Sequence, residues 1–166
     1  MTRETYVQIT NATRRTLSRL PGGEMLLRLP TYLCAAVYMG ALLYLMVMRD
    51  VRLFRALIVP AVCFIVCTVL RPLIGRQRPY DRFDAPPVGS HKPGKGKSMP
   101  SRHTASATAI AFAIIYVFPG VPVSLCMLLL AALIAALRVL SGQHYPSDVA
   151  AALLLSGGIS LAGYLF

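Results

Sequence analysis

The chain has 166 residues, 56% of them hydrophobic and 14% charged, with a net charge of +11. That apolar share excludes an ordinary water-soluble domain and points to one compact membrane domain. Seventeen Lys/Arg against six Asp/Glu call for an anionic partner. The apolar content ranks nucleic acid below lipid headgroups and phosphate, so a bilayer and a phosphate-bearing lipid are the expected partners.

The first element covers residues 3–20. Tyr6, Ile9, Thr13, Leu17 and Leu20 recur at helical spacing, with Arg14, Arg15 and Arg19 nearby. Residues 1–23 therefore read as an N-terminal amphipathic interfacial segment, with a frayed polar terminus as the plain alternative. Pro21-Gly22-Gly23 ends it. The first apolar run starts near Met25, too far in and too long for a cleaved signal peptide.

Residues 24–166 read as a single membrane-embedded domain of about five transmembrane helices, an all-α polytopic bundle. Thr31 to Met48 carries no charge, and Arg49-Asp50-Val51-Arg52 is a polar turn. Leu53 to Leu70 returns across the bilayer, with Arg55 near enough to its end to snorkel. Residues 71–103 form a polar, basic loop. From Thr104 to Leu137 no charge appears for 34 residues. One helix of that length would run roughly 50 Å against a hydrocarbon core of about 30 Å, so it breaks at Pro119-Gly120-Val121-Pro122. The last span is Val149 to Phe166. Ala105, Ala109 and Ala113 recur every four residues, as do Ala131 and Ala135, and Ala152, Ser156 and Ser160. Such stripes are either close-packing faces or simple apolar filling. Cys34, Cys63, Cys67 and Cys126 lie in apolar runs without zinc-ligand spacing and read as small core residues.

Counting spans places the remaining polar groups. Arg71 and Arg78 follow the second span. Ser101, Arg102 and His103 open the third, Arg138 closes the fourth, and His144 and Asp148 open the fifth. All of these fall on one membrane face. Ionisable groups at membrane depth are costly and mark function by default. Four guanidinium groups converge only around an anion, and a phosphoryl group fits the Arg fork best. Ser101 sits where an N-cap would, so the helix behind it adds N–H groups and a positive dipole end. Two histidines can then divide the roles of nucleophile and proton donor. Asp148, four residues after His144, can hold its Nδ1 and leave Nε2 to attack.

These residues resemble the three signature motifs of the type 2 phosphatidic-acid phosphatase superfamily. The stretches are RPLIGRQRP (Arg71 to Pro79), PSRH (Pro100 to His103) and RVLSGQHYPSD (Arg138 to Asp148). The resemblance implies a metal-independent lipid phosphatase without other cofactors. In it His144 attacks phosphorus to form a phosphohistidine, and His103 protonates the leaving oxygen and then helps activate water. Asp148 orients His144, and Arg71, Arg78, Ser101 and Arg138 hold the phosphoryl oxygens. The chain departs from the family pattern at three places. Arg71 replaces the usual Lys, Arg102 the usual Gly, and Leu137 the usual Ser. Arg102 therefore points its side chain either at substrate or into solvent.

The implied substrate is a lipid phosphomonoester or diphosphate: phosphatidic acid, phosphatidylglycerol phosphate or polyprenyl (undecaprenyl) diphosphate. The alternatives weighed are a non-catalytic anionic-lipid binder on the same scaffold and a vanadate-dependent haloperoxidase. His91, Lys92, Lys95, Lys97, Arg76 and Arg82 read as a solvated loop face that attracts anionic lipid, with a headgroup-recognition lid as the sharper option. Tyr80 and Tyr145 read as interface anchors. Fourteen of the seventeen Lys/Arg lie on the site-bearing side, which points the site to the cytoplasm. The family resemblance instead favours the extracytoplasmic face, and we follow it.

Overall fold

Apolar segments become helices here because lipid offers a bare backbone no hydrogen-bond partner. The computed structural model describes residues 1–89 and 97–166. Its helices are α1 (Arg3–Ser18), α2 (Gly23–Leu26), α3 (Leu29–Val47), α4 (Arg52–Ile74), α5 (Pro79–Phe83), α6 (Arg102–Val117), α7 (Val121–Leu140) and α8 (Pro146–Leu165). Among the described residues there is no strand.

Helices α3, α4, α6, α7 and α8 stand where the five spans are expected. Four of them, α3, α4, α7 and α8, are long and apolar enough to cross a bilayer. The fifth, α6, has 16 residues, about 24 Å of helix, less than the ~30 Å hydrocarbon core. It is the axis of the bundle: α3, α4, α7 and α8 all pack against it. The uncharged run of 34 residues divides as expected, with α6 ending at Val117 and α7 starting at Val121.

Large and small side chains sort by face. Leu43, Met46, Phe54, Ile65, Leu73, Leu129 and Leu154 are exposed on the outer wall, where lipid is the solvent. The inner contacts are small: Ala105, Ala107, Ala109, Ala111 and Ala113 of α6 are all buried. Ala131, Ala135, Ala152, Ser156 and Ser160 are buried too, so the four-residue stripes are packing faces and not filling. A Cβ at Gly163 of α8 would stand 2.6 Å from Val59 Cγ2 of α4, so the backbones approach closely there. Cys34, Cys63 and Cys67 are buried as expected. Cys126 is exposed on α7, which corrects its reading as a core residue.

The apolar side of α1 meets protein. Tyr6 is only 1% exposed; its hydroxyl donates to the Ala85 carbonyl at 3.0 Å, and its ring lies 5.4 Å from that of Phe83. Arg14 donates to the Pro86 carbonyl at 3.2 Å. Below them the chain turns at Gly142, with φ +74°. A Cβ on Gly142 would lie 2.6 Å from Thr10 Cγ2 and 2.8 Å from Tyr6 Cε2. Gly142→Ala should therefore cost about 1–3 kcal/mol through left-handed strain and overpacking. A melting temperature in detergent equal to that of the wild type would show that α1 does not dock on this turn.

Candidate active site

The connections between helices bring the polar groups to one end of the bundle. Arg71 lies in the last turn of α4, and Arg76 and Arg78 follow in the link to α5. Ser98 to Ser101 lead into α6, whose second residue is His103. Arg138 lies in the last turn of α7, and Tyr145 caps α8 with Asp148 at its third position. Coulombic coupling spans these elements: His103 feels Arg138, His144, Arg102 and Arg78, while Arg71 feels Arg102 and Arg78.

Asp148 organises the site. It is fully buried and closes a capping box with Tyr145, whose N–H donates to Oδ2 at 3.0 Å. Ser98 Oγ donates to the same oxygen at 2.5 Å. Arg76 Nη1 donates to Oδ1 at 2.7 Å and to Ser147 Oγ at 2.8 Å, with its guanidinium 4.3 Å from the centre of the Tyr145 ring. The Asp148 carbonyl accepts the Ser101 N–H at 3.1 Å, which ties the start of α6 to the start of α8.

His144 is 2% exposed. Its backbone N–H donates to the Arg138 carbonyl at 3.1 Å. Its Nδ1 lies 3.5 Å from Asp148 Oδ2, longer than a well-formed hydrogen bond, and has no other partner among the described residues. Burial holds this imidazole below its usual range. Asp148 opposes that effect, and Arg78 and Arg71 add to it.

The cations are held from behind. Arg71 is buried, and its Nη2 donates to the Lys97 carbonyl. Arg138 donates to Gln143 Oε1 at 2.9 Å and to Thr31 Oγ1 at 3.2 Å. Arg78 donates to the Tyr80 hydroxyl at 3.0 Å. The Nε atoms of Arg71, Arg78 and Arg138 are all buried without a hydrogen-bond partner among the described residues. Buried donors of this kind are rare and need an explanation.

Ser101 stands at the N-cap position of α6, as expected, yet its side chain makes no capping bond. Its Oγ is 3.1 Å from Thr104 Oγ1 instead. Arg102 and His103 are exposed beside a cavity of about 390 Å³. Cys34, Phe64, Ala107, Ile110 and Ile134 give that cavity an apolar wall.

The loop-face reading needs correction. Arg82 and Lys97 are exposed, but Arg76 is committed to the buried Asp148. His91, Lys92 and Lys95 lie outside the described residues. Tyr80 and Tyr145 are buried against the site and are not interface anchors. Sequence reasoning missed Arg76, Ser98 and Thr31. The one available signal was that Asp148, a lone acid among cations, must be shared.

The family model described as the PAP2 superfamily matches residues 51–166. The chain belongs to the PAP2 superfamily. The matched region contains every motif above. A lipid A 1-phosphatase of Rhizobium etli is 33% identical to this PAP2 chain over 102 residues, 58% of the chain. The match spans 42% of that relative's length. LpxE of Aquifex aeolicus shares the fold with a TM-score of 0.71 at 20% identity, covering 98% of this chain and 94% of that one. A transmembrane PAP2-type phosphatidylglycerolphosphate phosphatase of Bacillus subtilis does so at 0.70 and 20%, covering 96% and 83%. With these folds and its long apolar helices, the chain is a multi-pass membrane protein.

Proposed function

We propose that this PAP2 chain is a membrane lipid-phosphate phosphatase that hydrolyses a phosphomonoester or diphosphate through a phosphohistidine, without a metal. The observation that carries this reading is the set of buried Nε donors of Arg71, Arg78 and Arg138, which find no described protein partner beside two imidazoles. A tetrahedral phosphoryl group supplies acceptors for all three. The neighbouring carboxylate, Asp148, is already engaged by Arg76 and Ser98.

In the proposed reaction the neutral His144 uses Nε2, the atom opposite the Asp148 side, to attack phosphorus. The bond from phosphorus to the lipid oxygen breaks, and His103 gives that oxygen a proton that it takes up once the anionic phosphoryl group sits among Arg138, Arg102 and Arg78. Water then attacks the phosphohistidine, losing a proton to His103. The P–N bond breaks and phosphate leaves. Arg71, Arg78, Arg138, Ser101 and the N-terminal N–H groups of α6 hold the phosphoryl oxygens, with Arg102 at the rim. The apolar cavity beside His103 suits the hydrocarbon end of a substrate that stays in the bilayer.

Phosphatidic acid, phosphatidylglycerol phosphate, polyprenyl diphosphate and the 1-phosphate of lipid A form the test panel, assayed with and without EDTA in detergent micelles. Phosphate release from at least one, unchanged by EDTA, is the expected result. Binding without turnover across the panel would leave an anionic-lipid binder instead. His103→Ala should slow monoester hydrolysis more than diphosphate hydrolysis, by about 10-fold or more, because phosphate is the better leaving group. Equal losses on both would remove His103 from the acid role. We place the site at the extracytoplasmic interface, and thiol labelling of loop cysteines in intact cells tests that placement.

A further inference from the structure

The carboxylate that faces His144 is contested, and this points to a pair of residues outside the motif positions usually read as chemistry. Asp148 Oδ2 accepts from Ser98 Oγ at 2.5 Å and from the Tyr145 N–H at 3.0 Å, while His144 Nδ1 stands off at 3.5 Å. Oδ1 belongs to Arg76 at 2.7 Å. Arg76 is itself pinned: its guanidinium lies over the Tyr145 ring, bonds Ser147 Oγ, and reaches Met99 Sδ at 3.6 Å. The Arg76 carbonyl accepts the Ser98 N–H at 2.9 Å, so the two residues form one unit.

We propose that Arg76 and Ser98 are positioning residues: together they fix the Asp148 carboxylate and draw its negative charge away from His144, so that the buried imidazole stays neutral and ready to attack. A carboxylate facing an imidazole without competitors stabilises the imidazolium and so favours the protonated form of the nucleophile. A guanidinium on one oxygen and a short hydroxyl bond on the other weaken that pull while keeping the geometry. The other charged groups facing His144 are Arg78 and Arg71, which disfavour the imidazolium, and His103 approaches it from α6. Burial is the main effect keeping His144 neutral and Asp148 is the acid that opposes it, so whatever engages Asp148 bears on the protonation state of His144.

The inference rests on the proposed nucleophilic role of His144, and its test has an arm that needs no turnover. The chain has three histidines, so His91→Gln with His103→Gln leaves the His144 ring signal alone. In that background, ¹⁵N-histidine titration in detergent micelles should move the His144 midpoint upward by about one pH unit in Arg76→Ala, and upward by less in Ser98→Ala. Arg76→Lys should return it toward the parent value, because a cation again faces Oδ1. With native histidines, the acid limb of kcat/KM for dioctanoyl phosphatidic acid should move in the same order. A midpoint that stays or falls in Arg76→Ala, or a Lys variant that behaves like the Ala variant, overturns the proposal. Ser98→Ala, which removes one oxygen, supplies the answer if Arg76→Ala does not fold. Turnover by the wild type on the lipid panel separately tests the function on which the proposal rests.

Discussion

His144→Asn is expected to lower phosphate release by about 10⁴-fold or more, the scale seen when a nucleophile is lost from a unit that acts together. The substitution keeps the size and polarity of a buried side chain, so folding should survive. The His144 N–H bond to the Arg138 carbonyl is backbone and stays in place. KM should change little, because Arg71, Arg78 and Arg138 still bind the phosphoryl group in the proposed scheme. Rapid quenching at high pH, where phosphohistidine persists, should trap ³²P on wild-type protein and none on the variant. Residual turnover within about 10-fold of wild type would remove His144 from the nucleophile role.

Asp148→Asn should carry the second large effect, and on two readouts at once. The amide cannot accept from Ser98, Tyr145 N–H and Arg76 together, since one end of it is a donor. Activity should fall by about 10³–10⁴-fold, as for a histidine deprived of its orienting carboxylate. Stability should fall as well. Asp148 is fully buried, and its partners include a buried Ser98 hydroxyl and a half-exposed Arg76. Breaking a buried pair from one side costs about 3–5 kcal/mol, and the exposure of Arg76 places this case at the lower end. The fall should appear as a lower melting temperature in detergent. An unchanged melting temperature would mean that these contacts are not made in the folded protein.

Much of the architecture was legible because lipid punishes every unsatisfied polar group locally, within each segment. Span positions, the break before α7 and the sidedness of the polar ends all follow from where charge is absent. The nearness of His144 and Asp148 was legible from local spacing: both lie within one turn of the start of α8, which Pro146 fixes. Cys126 misled because an apolar run reads alike on its lipid face and its protein face. The short α6 could be located by hydropathy, but its place at the centre of the bundle could not.

Arg76 marks the limit most clearly. Arg76 and Arg82 are both cations in one polar loop, six positions apart. One is bonded to the carboxylate that faces His144, and the other lies over the half-buried Phe83 ring. Sequence alone determined which residue types reach the bilayer surface, because that depends on the solvent preference of each short stretch. Only the tertiary structure decided which cation meets Asp148, 72 residues away, because partners so distant in the chain are chosen by how the helices close around α6.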